Sequence, residues 1–455
     1  MKERNTERSY GMKCMLIIFL CFFMTSTGYI AWLYDLMALS WEGFPDLISM
    51  GAGYLLQAAG IFLFSLYIGK RGDIRRPLAI FLLPAYLICM IPSYITGSLA
   101  LAVTFGFLSN LICGMIAGYY LYLLSKADIK NRAKIFGIAY GASTILSWIL
   151  SLAAKNSIYS SFITALICII CSAPVILIER SIRNCNDDAV SERKDERPAG
   201  TKWMIPVASL IVALFSIVEH ICFSFPSSDI KGTVHLELTR LFYGAGLVIA
   251  GLISDRNRKH GAVITLGALV LPFITLTLKN GAVPAGIVWS LSYFATAFFS
   301  VYRVILFCDL ADRKKDCRIS GYGLMAGRIG QSAGTVLSFA VSHSVMAMAA
   351  AGAVLYCVAV FAFFWLYQKI YMPDADRRMS EEEHYQRFAL KHDLSQRERE
   401  IMRLLLQKET TPMIADRLFV SESTVKFHVH NILQKTGCSS RKELYEHFEQ
   451  DRRGS

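Results

Sequence analysis

Near the C-terminus, Ser423, Phe427, His430 and Gln434 recur at helical spacing, with Lys426 on their flank. At about 100° per residue they share one face of a helix, and Val425, Val429 and Ile432 share the opposite face. Such a face can read a nucleic-acid duplex. Lysine donates to guanine edges or to phosphate, an apolar ring meets a thymine methyl, and a helix N-terminus adds partial positive charge for a phosphate. The major groove accepts one α-helix, so the pattern predicts a helix that turns its polar face to double-stranded DNA. For Phe427 the alternative is packing against a neighbour or the last helix. His428, beside the apolar face, reads as structural.

A second set of chemically capable residues lies inside apolar runs. Glu219, Arg240, Arg303 and Arg328 each interrupt a stretch of largely hydrocarbon side chains. An ionisable group in such a setting is costly and marks a functional site by default. Glu219 and Arg240 fall in the outer third of their runs, Arg303 and Arg328 in the inner third. Together they predict a polar cavity in the second half of the apolar region that takes a small, anionic ligand. Pairing between helices, or reach of the long side chains to the polar interface, accounts for the same residues without one. His220, beside Glu219, adds a titratable ring but no mechanism.

The soluble face needs short helices to hold it, and start signals recur where those should begin. Ser395 and Glu398 have capping-box spacing before Ile401, Leu404 and Leu405. Thr411 followed by Pro412 reads as a cap and first helical position, with Ile414, Ala415 and Leu418 turned inward. Ser421 caps the reading helix, and Ser440 with Glu443 repeats the capping-box spacing before Leu444 and Phe448. Two short helices joined by a tight connection at Phe419 and Val420 make a helix-turn-helix.

The apolar part is of another kind. The 455 residues are 54% hydrophobic and only 18% charged, with mean hydropathy +0.42, below the roughly one quarter charged residues of soluble domains. A helix crosses the hydrocarbon core with about 20 apolar residues. That ruler predicts twelve spans, near 14–35, 45–68, 77–96, 99–124, 135–154, 160–178, 203–225, 237–254, 262–279, 283–307, 321–341 and 345–368. Loops after even-numbered spans are basic, with Lys70 and Arg75, Lys126 and Arg132, Arg256 and Lys259, and Arg313 and Arg318. Loops after odd-numbered spans are short or acidic. The positive-inside rule then puts both chain ends on the cytoplasmic side of the cell membrane. The first run starts at Cys14 after Lys2, Arg4, Arg8 and Lys13 and has no small-residue cleavage site, so it is expected to be retained.

The fold predicted is all-α: a polytopic transmembrane bundle of about twelve spans, six plus six, followed by a small helix-turn-helix domain. Residues 1–370 form the membrane region (spans 14–178 and 203–368), with a charged cytoplasmic linker at 179–202. A second linker at 371–392 leads to the soluble domain at 393–455. The net charge of +12 fits both nucleic-acid binding and basic cytoplasmic loops. Most of the twelve cysteines, Cys21, Cys89, Cys113, Cys222 and Cys357 among them, sit in apolar runs, where the thiol acts as a small hydrophobe. Cys168 and Cys171 have redox or metal spacing but lie mid-span without a second pair, which favours packing. No phosphate loop, metal spacing or nucleophile motif stands out, so no cofactor is expected and the protein is not read as an enzyme.

Two resemblances extend this reading. Gly251-Leu252-Ile253-Ser254-Asp255-Arg256 resembles the G-x-x-x-D-R loop of the major facilitator superfamily, and Gly69-Lys70-Arg71-Gly72-Asp73 echoes it more loosely. That likeness implies a site between two six-helix halves. A capping glycine followed by ordinary basic anchors is the alternative. Residues Leu394, Arg397, Glu398, Ile414, Ala415, Leu418, Ser421, Thr424, Val425, Lys426, His428, Ile432, Lys435, Gly437, Ser440, Arg441 and Leu444 are similar to the DNA-binding domain of the LuxR family. The likeness implies base contacts at Lys426, Phe427 and His430, a helix start at Thr424 near the DNA backbone, and a last helix that pairs two copies. Lys408, where the family has Gly, and Thr436, where it has Leu, depart from it. The expected protein is a membrane-bound one-component transcription regulator that binds DNA as a homodimer under control of a small-molecule ligand. A transporter with a regulatory DNA-binding tail is the main alternative, and a tail that docks a protein partner is a weaker one.

Overall fold

Runs of apolar residues without interior charge fold into long helices, because a helix satisfies its backbone groups internally. The computed structural model describes residues 2–41, 44–71, 78–154, 158–186, 203–223, 236–271, 285–341, 344–371, 382 and 384–454. A helix stands at each of the twelve predicted spans: α1 (Lys2–Leu39), α2 (Gly53–Arg71), α3 (Ala79–Ile95), α4 (Leu99–Ser125), α5 (Arg132–Ala154), α6 (Ile158–Asn186), α7 (Met204–Phe223), α8 (Leu236–Arg256), α9 (Arg258–Ala268), α10 (Ala285–Lys314), α11 (Tyr322–Val341) and α12 (Val345–Tyr371). Among the described residues, seven are long and apolar enough to cross a bilayer (α1, α2, α4, α5, α6, α10 and α12), and α3 and α7 are shorter apolar helices. A π-helical turn, Leu47–Ala52, leads into α2.

Among the described residues, two crossings dominate the contact between the first six helices and the second six. α5 packs on α8, and α2 on α11. The first crossing brings backbones together: a Cβ added at Gly137 would lie 2.5 Å from the Leu247 carbonyl oxygen, and one at Gly141 2.6 Å from that of Gly244. Only glycine permits this approach, which is how membrane helices gain packing energy where lipid removes the hydrophobic drive.

Charges tie the same crossing at the end that bears the basic loops. Arg132, only 1% exposed, donates to Asp309 at 2.8 Å and to the carbonyls of Leu124, Ser125 and Ala127. Arg258 bridges Asp309 at 3.1 Å and Asp255 at 2.7 Å. Asp255 accepts from the backbone N–H groups of Ala133 and Lys134 at the start of α5. Glu179 does the same for the start of α3, accepting from Leu78 and Ala79 at 2.9 and 3.1 Å. Carboxylates at helix N-termini satisfy orphan donors and the helix dipole together. Of the first loop copy, Gly69, Lys70 and Arg71 end α2, and the rest lies outside the described residues.

The segment expected as a linker from 179 begins as helix: α6 continues to Asn186, and 187–202 lie outside the described residues. The second expected linker is also partly structured. Residues 384–391 form a helix, α13, whose Tyr385, Phe388 and Ala389 are buried with Leu394, Ile401 and Leu405. The apolar spacing of Tyr385, Phe388 and Ala389 was the available signal, hidden by the charged residues around it. Two compact units divide the chain, Met1–Leu366 and Tyr367–Ser455.

In the second unit, α14 (Gln396–Leu406), α15 (Thr411–Arg417), α16 (Glu422–Thr436) and α17 (Arg441–Gly454) follow α13. The capping box at Ser395 and Glu398 is formed on both sides. The cap before α15 is Thr410 rather than Thr411, which puts Pro412 one position further into the helix. At α17 the expected box is split. Ser440 accepts from the Glu443 N–H at 3.2 Å, while the Glu443 carboxylate reaches back to the Ser439 N–H at 2.7 Å.

Candidate functional site

α16 is positioned from its buried side. Val425, Val429 and Ile432 are buried against the domain core, which turns the other side outward. Ser421 starts the helix, its hydroxyl accepting from the Thr424 N–H at 3.2 Å, and Gly437 ends it in the left-handed conformation at φ +69°. Arg397 donates to the Leu418 carbonyl, tying α14 to the end of α15, and Arg441 donates to Thr411 at 2.6 Å, tying α17 to its start. These two ties hold α15 at the angle from which α16 projects.

Ser423, Lys426, Phe427, His430 and Gln434 are all exposed, and Thr424 is half-buried at the helix start. Phe427 is 61% exposed, so its ring does not go into the core. It meets His428 edge-on at 5.5 Å, and His428 is half-buried. Lys426 lies 4.0 Å from Glu422 one turn back, a loose pairing that leaves the ammonium free to exchange partners. The two departures from the family pattern are both accommodated. Lys408 takes φ +62° and its N–H still closes on the Leu405 carbonyl at 2.7 Å, so α14 ends as it would on glycine. The buried Thr436 hydroxyl donates to the Ile432 carbonyl at 2.8 Å.

In the first unit, Glu219, Arg240, Arg303 and Arg328 line a single cavity of about 230 Å³. It lies between the two halves rather than within the second. Phe22, Tyr29, Tyr54, Asn110, Tyr120, Tyr140 and Trp148 of the first half form its other walls. The arginines face these rings. The Arg328 guanidinium lies 4.1 Å from the Tyr54 ring centre, and that of Arg240 lies 4.8 Å from Trp148 and 5.4 Å from Tyr293. Arg303 lies 5.5 Å from Phe299 and fits over Gly327, where an added Cβ would come within 2.6 Å of its Nη1. Arg328 donates to Gln331 at 3.0 Å.

Several polar atoms here are buried with no hydrogen-bond partner in the protein: Nε and Nη1 of Arg303, Nε of Arg240 and Arg328, Oε2 of Glu219, Nδ1 of His220 and the Tyr29 hydroxyl. Buried polar atoms are normally paired, so a cluster of unpaired ones in one cavity is unusual. The aromatic wall, Tyr54 and Trp148 above all, was not predicted from the sequence, since an aromatic in an apolar run reads as packing. Among the described residues, no group of three His, Cys, Asp or Glu could hold a metal ion. Cys168 is buried and free, its thiol 3.5 Å from the Met24 carbonyl.

Residues 392–448 match the bacterial regulatory proteins of the luxR family. The spore germination protein GerE of Bacillus subtilis (strain 168) is 46% identical over 56 residues, which are 12% of this chain and 76% of GerE. The nitrate/nitrite response regulator protein NarL of Escherichia coli (strain K12) is 43% identical over 61 residues, 13% of this chain and 28% of NarL. The chain thus spans about three quarters of GerE but little more than a quarter of NarL. The membrane unit is similar in fold to the human organic anion transporter MFSD10 (TETRAN), with TM-score 0.59 and 13% identity over 79% of this chain and 99% of that one. A bacterial homologue of the human lysosomal transporter Spinster, inward-facing and unoccupied, gives TM-score 0.50 and 13% identity over 80% and 97% of the two chains. At such identity the likeness concerns the fold, a bundle of the major facilitator type, which joins a DNA-binding helix-turn-helix to a multi-pass membrane region. Through its C-terminal domain, this chain belongs to the luxR family of bacterial regulatory proteins.

Proposed function

We propose that this protein is a one-component transcription regulator in which the membrane bundle controls DNA binding by α16. The observation that carries the reading is one chain with two surfaces of different kinds: an exposed recognition face and a buried cavity whose charged residues keep several polar atoms without a hydrogen-bond partner. A small molecule bound by Glu219, Arg240, Arg303 and Arg328 is the input, and occupancy of DNA half-sites by two copies of the soluble domain is the output. Half-sites then lie about one helical turn apart, near 34–36 Å. The chain sits in the cell membrane with both ends in the cytoplasm, a reading supported by the basic loops after even-numbered spans. It catalyses no reaction. Base contacts come from Lys426, Phe427, His430 and Gln434, and backbone contacts from Ser423 and Thr424.

Genome-wide DNA occupancy of the intact protein tests this reading, and the genes beside occupied sites point to the input. Occupancy should be discrete and should disappear in the Lys426→Ala/His430→Ala double variant. Arg303→Ala or Arg328→Ala should blunt the response while leaving the DNA affinity of the soluble domain intact. Occupancy indifferent to both sets would sink the proposal. A second reading, a transporter that carries a regulatory tail, is favoured by the fold shared with an organic anion transporter. Robust flux in vesicles supports that reading, whereas binding without flux supports a receptor.

A further inference from the structure

We propose that the ligand of the central cavity is a small organic dianion with a flat apolar body, an aromatic dicarboxylate in charge and size. This rests on the reading of the cavity as the input site and specifies its chemistry. The charged groups lining the cavity are Arg240, Arg303 and Arg328 against Glu219. Three positive charges less one negative leave two without a counter-charge among the lining residues, deep in a low-dielectric bundle. Contacts of the guanidinium groups with Tyr54, Trp148 and Phe299 offset only part of that cost. The unpartnered Nε and Nη1 of Arg303, itself 3% exposed, and Nε of Arg328 and Arg240 are donors still to be met. Carboxylates meet paired guanidinium N–H groups, and a neutral molecule does not neutralise them.

The charges also stand at two levels. Arg258 binds both Asp255 and Asp309, which puts those two aspartates at one depth in the bundle. Arg240 lies fifteen residues from Asp255 along α8, and Arg303 six residues from Asp309 along α10. At 1.5 Å per residue the nine-residue difference separates their backbone positions by roughly 13 Å along the axis. Gly323 is the α11 residue level with Arg303, since an added Cβ there would lie 1.9 Å from the Arg303 carbonyl oxygen. Arg328, five residues further along α11, stands between the two levels, and its guanidinium reaches the Tyr54 ring. A ligand with an acidic group at each end is shorter than this backbone separation, so it is met by arginine side chains converging from the different depths, with aromatic rings lining the cavity beside them. The volume of about 230 Å³ is far above the roughly 10–15 Å³ that a single water needs and leaves room for a small organic molecule. Glu219 works against such a ligand, so its carboxylate is a specificity element that weakens anion binding and leaves room for only two added negative charges.

The test uses the intact purified protein in lipid nanodiscs, with terephthalate as probe, its neutral diamide terephthalamide, and the dication p-xylylenediamine. Thermal shift and quenching of tryptophan fluorescence report binding. Saturable terephthalate binding is expected, weakened by salt, with the diamide and the dication at least about tenfold weaker because they leave the arginines unmatched. Arg303→Gln and Arg328→Gln should each weaken terephthalate by about tenfold or more, with Arg303→Lys retaining part of the affinity, and Glu219→Gln should tighten it. Equal binding of the diamide or the dication, absence of saturable terephthalate binding, or wild-type affinity in both arginine-to-glutamine variants would overturn the proposal. If those variants fail to fold, the three probes on the wild-type protein decide it. Saturable binding that leaves DNA occupancy unchanged keeps the ligand chemistry and removes the proposed control.

Discussion

The reading face of α16 and the proposed ligand cavity use the same residue types in opposite settings. On α16, Lys426 and His430 stand in solvent beside an exposed Phe427. In the bundle, Arg303 is 3% exposed and Arg240 and Arg328 lie against Trp148 and Tyr54. An exposed cation contributes little to folding and gains its energy by displacing counterions from a polyanion, so its binding depends strongly on salt. A buried cation is expensive until something pairs with it, so folding and ligand binding are coupled at that position. The first setting suits a surface that samples many DNA sequences. The second suits a site that waits for one kind of molecule.

Residues that hold structure should cost most when removed. A soluble fragment beginning at residue 393 lacks Tyr385, Phe388 and Ala389, all buried in its core. Losing Phe388 alone should cost about 3–5 kcal/mol, so chemical denaturation should find this fragment far less stable than one beginning at residue 367. Equal stability would show that α13 is an ornament of the domain. In the bundle, Asp309→Ala leaves the buried Arg132 without its nearest carboxylate, 2.8 Å away, and should destabilise the membrane unit by about 3–5 kcal/mol. Detergent melting curves measure this.

On the reading face the expected effect is on DNA rather than folding. Lys426→Ala and His430→Ala should each weaken specific binding by about 1–3 kcal/mol if they contact bases, with an unchanged melting temperature. A uniform loss on all sequences with a salt slope lowered by about one assigns Lys426 to phosphate instead. Acid should erode the soluble unit. Burial holds His392 below its ordinary value of 6.5 despite the nearby Lys435 carbonyl. Burial would raise Glu398, but Lys435 and Ser395 outweigh it and hold it below 4.5. Both native values are depressed, so the stability from each is complete above its ordinary value and is lost as pH falls through that value toward the lowered one. The melting temperature should therefore drop first below about pH 6.5 and again in the carboxylate range, and His392→Phe should flatten the first step. Lys408→Gly should give the smallest effect, a gain of about 1 kcal/mol, because φ +62° strains any residue with a Cβ.

Much of the molecule could be read from local pattern. Capping serines, the αL glycine at 437 and the apolar stripe of α16 act over four or five residues, so their outcome depends little on the rest of the chain. Helices at the twelve spans follow from hydrocarbon length alone. The family glycine replaced by Lys408 suggested an altered helix end, yet the chain keeps the turn and bears the strain.

The sequence by itself determined the helices at the twelve spans, α14 to α17, and which face of α16 meets solvent, though not α13, because those depend on periodicity and on neighbours along the chain. It also named Glu219, Arg240, Arg303 and Arg328 as misplaced charges. Only the tertiary structure decided that these four share one cavity, that Tyr54 and Trp148 from the other half stand across it, and that Arg258 rather than Arg256 bridges Asp255 to Asp309. Those facts arise from helix crossings such as Gly137 on Leu247 and Gly141 on Gly244. They join residues more than a hundred positions apart, and no local spacing records which helix a side chain will meet.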